Sequence, residues 1–558
     1  MLIHTGPIAG IATHEKWVAT AGYDNKVILW NAADKKPIAQ GMHDHLVNNC
    51  SFSPDGKWLV SASSDYSSRL WSLHSMRLEA VLTGHRDDVD MAVFSPDSQL
   101  IATCALDRRV RVFDLSGHCL AEFAGHTGNV LALAWTADGQ SIVSTSVDGT
   151  VRRWGFVSGQ QEACSDLRVR TDSIAIARNG LIYAGDDKGR LAVIRGDAVV
   201  FHDAHQAGIK KVVLDERKAQ LVCLSYDGFM SVWDIRGDQP KEISRSRLPH
   251  AVWARSAAVL DDGCIVSGTF GSTYAMYDPA TEKWDMSGVQ AGSAINAVHV
   301  VQEHVYTIGD AGELKKDGEP VANLGSLCNF LISWQGRLFT GGQLGKLFDA
   351  LTGEVLFQHH SPLNCGVSYE HQGRSNLVIG TYTGELLVFD ISKTDVHFLE
   401  ELQVYENAVK GVTISEGRLF SVCANTDIAW HALETLSQHQ YIRKAHEKIA
   451  NDCCTIDDDH FATISRDKTL KIWNEKGHET FESPHSHSVK CMAINEDKSK
   501  LLTGSYGGTL AMFDLSQRTW TWFGRPTIAG ISDITWHCQS QTFLAASYDG
   551  HVYPVRGA

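Results

Sequence analysis

Proline, long apolar runs and positive charge are all scarce in this chain, and each scarcity excludes a class of protein. Only 12 prolines occur in 558 residues, so the periodic segments are almost free of residues that cannot join a β-ladder. No stretch approaches the roughly 18 apolar residues of a membrane helix. The 50 Lys and Arg face 65 Asp and Glu, a formal net charge of −15. Because phosphate binding relies on clustered cations, we expect no nucleic-acid partner, and the lack of long apolar runs predicts no membrane partner.

Cysteine and histidine show no disulfide or metal pattern. The 13 cysteines are odd in number and scattered, often in apolar segments such as LVCLSYDG around Cys223, which predicts reduced thiols. The adjacent Cys453 and Cys454 could be redox-active, although alternation along a strand makes one of them a core residue. The pair His43 and His45 lacks a third ligand at zinc-like spacing. We therefore expect no metal and no cofactor.

The first ten residues, MLIHTGPIAG, do not form a targeting segment. They contain neither the basic region nor the apolar core of a secretory signal. Together with the expected reduced thiols, this predicts a cytoplasmic location.

One phrase returns about every forty residues along the chain. Its clearest copies are GHTGNVLALAWTADGQSIVSTSVDGTVRRW (125–154) and GHRDDVDMAVFSPDSQLIATCALDRRVRVFD (84–114). An aspartate marks the interval, 39–42 residues apart in the first half and again further on: Asp24, Asp65, Asp107, Asp148, Asp187 and Asp227, then Asp310, Asp467 and Asp549. Filling the gaps by pattern gives about fourteen repeats. They occupy the whole chain and leave no residues for a separate catalytic domain.

Each repeat predicts four short strands. HTGNVLALAW and QSIVSTS are apolar strand segments, and TADGQ and VDGT are turns with Asp-Gly pairs. A further strand such as LEAVLT leads into the next repeat. No segment of a dozen residues shows helical periodicity. The chain therefore belongs to the all-β class.

The ends of the repeat resemble a known family. Gly-His openings (Gly84 with His85, Gly125 with His126) and Trp-Asp-like endings (Trp233 with Asp234, Phe389 with Asp390, Trp473 with Asn474) resemble the WD-repeat family. That family folds as β-propellers, most commonly with seven blades in a ring. The resemblance implies two seven-bladed WD-repeat β-propellers in tandem, with about fourteen four-stranded blades. The approximate domains are 1–288 and 289–558.

The repeat fades in the stretch 242–436. There Gly271, Thr383 and Ala424 stand where the aspartate is expected, but apolar strand segments such as CIVSGTF and GRLFSVC persist. We therefore count blades through this stretch as well.

The chain termini bear on how a ring closes. Only three residues precede His4, and the chain ends just after a third-strand segment, GHVYPV. A closed ring removes exposed strand edges. We predict that the N-terminal segment supplies the missing pairing near the last blade, or that the two rings interlock at a shared seam.

A set of His, Ser or Thr, Asp and Trp recurs and superficially looks like a hydrolase triad. The complete sets are His4, Thr20, Asp24 and Trp30; His43, Ser61, Asp65 and Trp71; His126, Ser144, Asp148 and Trp154; and His446, Thr463, Asp467 and Trp473. The family resemblance implies that each set is a buried hydrogen-bond network bracing one blade. A single active site would not recur once per blade. We therefore predict no catalytic residue among these sets.

The residue before the turn aspartate is the candidate for partner binding, since in this family it lies on the rim of the narrower face. The candidates are Tyr23, Tyr226, Phe270, Arg466, Tyr506 and Tyr548. Tyrosine and arginine are common interface hot spots, although aromatics there could simply brace the turn. Asp88 and Asp90 lie in an acidic loop with Arg86 and Asp87. That loop either attracts a basic partner or is merely solvated.

These features favour a non-enzymatic intracellular scaffold that binds protein or peptide partners on propeller faces. The alternative is a small-molecule-binding or enzymatic propeller with its site in the degenerate 242–436 region, where drift of the repeat could hide one. The partner and the oligomeric state are left open by the sequence.

Overall fold

The computed structural model describes residues 2–556 apart from 238, 291, 293, 394 and 416. These residues form strands and turns, and no helix occurs in the described part of the chain. The chain divides into two compact units, residues 1–292 and 293–558.

The first unit contains 28 strands. Their bounds are β1 Ile8–His14, β2 Trp17–Gly22, β3 Lys26–Asn31, β4 Lys36–Met42, β5 Val47–Phe52, β6 Trp58–Ser63, β7 Ser68–Ser72, β8 Arg77–Leu82, β9 Val89–Phe94, β10 Leu100–Ala105, β11 Arg109–Asp114, β12 Cys119–Ala124, β13 Val130–Trp135, β14 Ser141–Ser146, β15 Thr150–Gly155, β16 Gln161–Asp166, β17 Thr171–Ile176, β18 Ile182–Asp186, β19 Arg190–Arg195, β20 Ala198–Asp203, β21 Ile209–Asp215, β22 Gln220–Ser225, β23 Phe229–Asp234, β24 Lys241–Arg247, β25 Val252–Val259, β26 Ile265–Thr269, β27 Ala275–Asp278 and β28 Lys283–Asp285.

The second unit contains 27 strands in its described residues. Their bounds are β29 Ile295–Val301, β30 His304–Gly309, β31 Glu313–Lys316, β32 Glu319–Asn323, β33 Cys328–Trp334, β34 Arg337–Gly342, β35 Lys346–Asp349, β36 Val355–Gln358, β37 Leu363–His371, β38 Arg374–Thr381, β39 Glu385–Asp390, β40 His397–Gln403, β41 Val409–Ser415, β42 Arg418–Cys423, β43 Ile428–Ala432, β44 Gln438–Ile442, β45 Ala450–Thr455, β46 Phe461–Ser465, β47 Thr469–Asn474, β48 Gly477–Glu482, β49 Val489–Ile494, β50 Lys500–Ser505, β51 Leu510–Asp514, β52 Thr519–Gly524, β53 Ile531–His537, β54 Thr542–Ser547 and β55 Val552–Arg556.

Consecutive strands form antiparallel sheets, which we number as blades 1 to 14 in chain order. Thirteen sheets have four strands and the last, β53–β55, has three. In the first unit the innermost strands of neighbouring blades contact one another in order, and β25 of blade 7 returns to β1 of blade 1. In the second unit the same succession starts at β29 in blade 8, and β53 of blade 14 returns to β29. Each unit is thus a closed ring of seven blades, which confirms the predicted pair of seven-bladed propellers.

Burial decreases from the inside of a blade to its outside. In blade 4, every residue of the second strand β14 is buried, whereas the outermost strand β16 is largely exposed. Apolar side chains of adjacent blades form the core between them. Between blades 2 and 3, for example, Val60 and Leu70 pack with Val89 and Phe113, all at most 1% exposed. Burial of this apolar area is the main force that holds neighbouring blades together.

The stretch in which the repeat fades is as regular as the rest. Its strands β25–β44 form five successive four-stranded sheets, blades 7 to 11. The predicted count of about fourteen blades is therefore confirmed. Apolar strand patterning is sufficient for a blade even where the aspartate is missing.

The N-terminal segment contacts blade 7 of its own ring. Residues 2–7 precede β1 without forming a strand, and the backbone N–H of His4 donates to the carbonyl of Ser272 in blade 7 at 3.0 Å. Blade 14 has three strands in the described part of the chain. Pairing of the N-terminal segment near the last blade and interlocking of the two rings both stay predictions.

Candidate functional site

One backbone hydrogen bond defines the same position in all fourteen blades. The residue that follows the second strand donates its N–H to the carbonyl of the residue that precedes the first strand, at 2.8–3.3 Å. This bond ties the turn between the second and third strands to the start of the innermost strand, on what we call the narrow face. We call the donor the rim residue. In chain order the rim residues are Tyr23, Ser64, Leu106, Val147, Asp187, Tyr226, Phe270, Asp310, Gln343, Tyr382, Ala424, Arg466, Tyr506 and Tyr548.

In two blades the rim hydrogen bond shows that the aspartate identified by the forty-residue spacing is not the turn aspartate. The spacing predicts Asp187 and Asp310 to be turn aspartates, but their N–H groups make the rim hydrogen bond. In blade 5 the turn N–H groups of Lys188 and Arg190 donate instead to Asp186, at 3.0 and 2.8 Å. An aspartate at either position can accept turn hydrogen bonds, so spacing alone could not distinguish the two.

The four predicted sets come together as hydrogen-bond networks. In blade 2 the Nδ1 of His43 lies 2.8 Å from the Asp65 carboxylate, and its Nε2 lies 2.7 Å from the Ser61 hydroxyl. The indole N–H of Trp71 donates to the same hydroxyl at 2.8 Å. The sets around His4, His126 and His446 have the same three contacts at 2.7–3.0 Å.

In blade 2, electrostatics keeps the network in one protonation state. Burial lowers the pKa of His43 more than Asp65 raises it, so the imidazole is neutral near neutral pH. Burial acts to raise the pKa of Asp65, but hydrogen bonds from His43 and from the backbone N–H of Asp44 hold that pKa well below its usual range. The carboxylate therefore accepts the proton-bearing Nδ1–H, and the hydroxyl donates to Nε2.

This arrangement leaves no free nucleophile in the four sets. The relay hydroxyls Thr20, Ser61, Ser144 and Thr463 are all 0% exposed. Each hydroxyl donates to a histidine and accepts from an indole, so its proton and one lone pair are already in use. A hydrolase triad needs a nucleophile that a substrate can reach, and these side chains do not meet that requirement.

Three other blades contain variants of the network that the sequence pattern did not reveal. In blade 3 a phenylalanine replaces the tryptophan, and His85 bonds Thr103 at 2.8 Å. In blade 6 the hydroxyl comes from the third strand, where Ser231 lies 2.8 Å from His205 and accepts the indole N–H of Trp233. In blade 13, His485 lies between two hydroxyls. In blade 6 a hydroxyl on the third strand bonds the histidine in place of one on the second strand. A search for a hydroxyl at one fixed spacing from the histidine therefore misses this network.

On the narrow face of the first unit, two rim tyrosines pack against cations. The guanidinium of Arg255 donates to the hydroxyl of Tyr23 at 3.0 Å, and Tyr23 meets the Trp253 ring edge-on at 5.3 Å. The ammonium of Lys210 lies 5.0 Å from the centre of the Tyr226 ring. Both tyrosines are half-buried, so they brace the face and also present part of each ring to solvent.

Charged side chains of both signs fill the mouth of this ring. Lys210 forms ion pairs with Asp172 and Asp187, and Arg170 bonds Asp172 at 2.8 Å. Arg255 lies 3.7 Å from Asp90. Burial raises the pKa of Asp90 to about 6 against the opposing effect of Arg255.

Arg255 reaches the mouth because its strand is irregular. Along the pairing of β25 with β26, Val252 stands opposite Thr269, and the next paired residue is Ala257, opposite Ser267. The intervening residues bulge out of the ladder and carry Arg255 and Trp253. Nothing in the sequence pattern marked these two residues as members of the site.

Two of the predicted partner-binding residues are buried. Phe270 is 3% exposed and packs on Trp253, with ring centres 5.4 Å apart. Asp88 is 6% exposed, and the carboxylate of Asp90 faces Arg255. Phe270 thus lies beneath the surface, and Asp88 and Asp90 do not present an acidic patch. The sequence shows three aspartates close together in one loop, but it could not show that the fold brings Arg255 from blade 7 next to Asp90.

On the narrow face of the second unit, the rim residues of three consecutive blades form an arc. Arg466 of blade 12 lies over the Tyr506 ring at 5.6 Å. Tyr506 of blade 13 stacks near-parallel on Tyr548 of blade 14, with centres 6.5 Å apart. Tyr382, a rim residue of blade 10 not singled out from the sequence, packs with Lys410 at 5.1 Å. The same offset before the turn could have revealed Tyr382.

A cavity of about 420 Å³ lies in the first unit. Innermost strands of blades 1, 2, 3, 6 and 7 line it, and its charged residues are of both signs, Lys211 and Arg217 with Asp215 and Glu216. Of the stretch 242–436 only Ala258 and Val259 contribute. The cavity therefore lies mainly outside the region named for the alternative small-molecule site.

Neither a metal-binding cluster nor a membrane-spanning helix is found among the described residues. No group of three or more His, Cys, Asp or Glu side chains there is arranged to hold a metal ion. The same residues contain no helix of the length and apolarity needed to cross a membrane. All 13 cysteines are free thiols.

Comparison with known proteins gives matches along both units. The family model described as "WD domain, G-beta repeat" matches residues 2–31, 36–72, 76–114, 117–155, 437–474 and 478–514. The chain is 40% identical over 107 residues to Periodic tryptophan protein 2 of Arabidopsis thaliana, and 25% identical over 208 residues to the WD repeat-containing protein 26 homolog of the same plant. It is 27% identical over 235 residues to Target of rapamycin complex subunit wat1 of Schizosaccharomyces pombe.

These alignments cover only part of each protein. They span 19%, 35% and 39% of this chain, in the same order. They span 12% and 34% of the two plant proteins and 74% of the yeast protein.

Proposed function

We propose that the chain is a WD-repeat protein and that it acts as a non-enzymatic cytoplasmic scaffold, which binds protein partners on the narrow faces of its two propellers. The observation that carries this proposal is the arc of Arg466, Tyr506 and Tyr548 on three consecutive blades. These side chains combine large contact area with polar ends, as interface hot spots do.

The positions of these residues support binding rather than bracing alone. A brace would suit every blade equally, yet the rim residues elsewhere include Ser64, Val147 and Ala424. Aromatic and cationic rim residues are instead concentrated on a few neighbouring blades, which suits a partner that covers one side of the face.

The first unit supports a second contact of the same kind. Tyr226 with Lys210 and Tyr23 with Arg255 occupy blades 6, 7 and 1, which are neighbours around the closed ring. Their charges are already paired with Asp172, Asp187 and Asp90. A partner here would meet a preorganised, nearly neutral surface.

The names of relatives agree with this function at a coarse level. One relative is named as a subunit of a target of rapamycin complex. Another, from Candida glabrata and 33% identical over 139 residues, is named CCR4-associated factor 4 homolog. Both names describe proteins that work with other proteins. We extend to this chain only the general role of partner binding.

Site-specific photo-crosslinking tests the proposal. Benzoylphenylalanine is introduced at Tyr548 in cells that make the protein, and crosslinked polypeptides are identified after irradiation. The matched control is the same amino acid at Trp522, which is 39% exposed on outermost strand β52 of the adjacent blade. We expect discrete crosslinks to another polypeptide at position 548 and none of these at 522.

Two outcomes would contradict this function. One is an absence of crosslinks at 548 and at an equivalent replacement of Tyr226. The other is the same crosslink pattern from 522, which would place the partner on the outer strands.

A further inference from the structure

A second repeated contact ties neighbouring blades of the second unit together. Asparagine is the second residue of the innermost strand in blades 8, 9, 10 and 12. Its side-chain N–H donates to the carbonyl of the first residue of the next innermost strand, at 2.5–3.1 Å, in Asn296, Asn329, Asn364 and Asn451. We call this contact the asparagine clamp.

Lysine replaces the clamp in two blades of the same ring. Lys410 and Lys490 are the second residues of β41 and β49, in blades 11 and 13. Neither makes the clamp bond, and neither forms an ion pair with a carboxylate in the described part of the chain. Each lysine therefore gives up an inter-blade hydrogen bond and places an ammonium group in a partly buried site.

The two lysines and Arg466 form one electrostatic group on consecutive blades. Burial, and then the positive charges of Lys490 and Arg466, lower the pKa of Lys410 to about 7. This direction shows that Lys410 has too little negative charge around it. Tyrosine rings supply part of the missing stabilisation, since Lys410 lies over Tyr382 and Arg466 over Tyr506.

The carboxylates deeper in the ring are already engaged. Asp452 accepts the backbone N–H groups of Met492 and Cys453 at 2.9 and 2.8 Å. Asp533 likewise accepts those of Val298 and Ile534, both at 2.9 Å. Each carboxylate thus bonds the backbone of its own strand and that of the next blade, which ties the ring together. The negative charges of both aspartates also raise the pKa of Lys490 against the effect of its burial, so Lys410 is the lysine that lacks such compensation.

We propose that the narrow face of the second unit binds an acidic peptide segment, whose anionic oxygens pair with Lys410, Lys490 and Arg466 while its chain packs on Tyr382 and Tyr506. A sequence that departs from its own repeat at a cost in stability does so most often at a functional site. This inference rests on the proposed function and specifies the chemistry of one partner contact.

A peptide fits this face better than a nucleic acid. Phosphate-backbone binding draws on many cations spread along a surface, whereas the chain has a net charge of −15 and Lys410, Lys490 and Arg466 form a compact group on three consecutive blades. Three cations beside tyrosine rings match a short segment with a few carboxylates or phosphoryl groups.

A synthetic peptide library tests the proposal. Randomised positions in peptides of about twelve residues are drawn from Glu, phosphoserine, Gln and Lys, and the purified full chain is used for selection. We expect strong enrichment of anionic positions. Enrichment of Glu would indicate a carboxylate-rich segment, and enrichment of phosphoserine a phosphorylated one; both support the inference.

The double variant Lys410→Asn/Lys490→Asn identifies the site. Asparagine is the residue of the clamp in the other blades, so this variant is expected to fold. It should weaken binding of the selected peptide by about tenfold or more, since contacts to charged groups are lost. The control Lys498→Asn removes the same charge from an exposed turn on the other side of blade 13, at a left-handed residue (φ 57°) that asparagine tolerates.

The inference is overturned by any of three results. These are no enrichment of anionic positions, equal binding by the double variant and the wild type, or tighter binding of a thymidine oligonucleotide than of any peptide. If crosslinks from position 548 persist in such a case, the proposed function stands and only the acidic-peptide assignment fails.

Discussion

Arg255 of blade 7 and Asp90 of blade 3 meet over the mouth of the first ring, with Nη2 and Oδ1 3.7 Å apart. Their blades are not neighbours in the ring, so the pair spans the central opening. Arg255 also donates to the Tyr23 hydroxyl at 3.0 Å. The pair therefore connects three blades that backbone pairing does not connect.

A double-mutant cycle measures this connection. Arg255→Met and Asp90→Asn should each destabilise the first unit, and the double variant should cost less than the sum by about 1 kcal/mol, because each single change leaves a partly buried charge unpaired. Urea unfolding of the four proteins gives the coupling energy. Additive costs would show that the 3.7 Å approach contributes nothing.

A matched pair of Thr→Val changes tests the relay network. Thr463 accepts from the indole of Trp473 and bonds His446, whereas Thr103 bonds His85 in a blade that has Phe113 instead of tryptophan. Thr463→Val leaves two buried polar groups without a partner and Thr103→Val leaves one. We expect the first change to cost about 1–3 kcal/mol more than the second. Equal losses in chemical denaturation would contradict this role of the indole.

Lys410→Asn should stabilise the protein, and more at pH 7 than at pH 9. Burial and neighbouring cations lower the pKa of Lys410 from 10.5 to about 7 in the folded chain. Between these values the unfolded chain binds more protons at this residue, so the wild type loses stability as the pH falls through the window. The asparagine variant lacks this loss. Urea midpoints at pH 7, 8 and 9 should converge as the pH rises, and a constant difference would contradict the direction of the shift.

Asp533→Asn and Asp452→Asn should have equal effects on equilibrium stability. Each aspartate accepts a backbone N–H from the next blade at 2.9 Å, and Asp533 makes its contact across the closure from blade 14 to blade 8. If the contact between blades 14 and 8 is as strong as the other contacts between blades, the two variants should lose the same free energy of unfolding within about 0.5 kcal/mol. A much smaller loss for Asp533→Asn in urea unfolding would mean that the closure is weaker than the other blade contacts.

The sequence predicted the propeller well because its signals are local and repeated. Alternating apolar residues and Asp-Gly turns specify each blade separately, so the blades survive even between β25 and β44, where Gly271 and Thr383 replace the aspartate. Aspartate spacing was less reliable as a guide to exact position. Asp187 and Asp310 lie one residue before the turn position, and only the rim hydrogen bond revealed this.

The residues that occupy the two narrow faces were harder to predict, because their positions depend on contacts between residues far apart in the sequence. Arg255 enters the site through a bulge in β25 that no residue pattern announces. Phe270 has the right offset but is covered by Trp253. Lys410 and Lys490 are prominent only once the asparagine clamp of the neighbouring blades is known.

In each unit the innermost strand of the last blade contacts that of the first blade, and this closure affects how the protein unfolds. An open array of repeats frays from its two end repeats, which have a neighbour on one side only. Here β25 contacts β1 and β53 contacts β29, so every blade has two neighbours and neither ring offers a weak end. Loss of any blade requires two interfaces to break at once. Each ring should therefore open rarely and unfold as a whole, which gives persistence against proteases that act on locally opened chain.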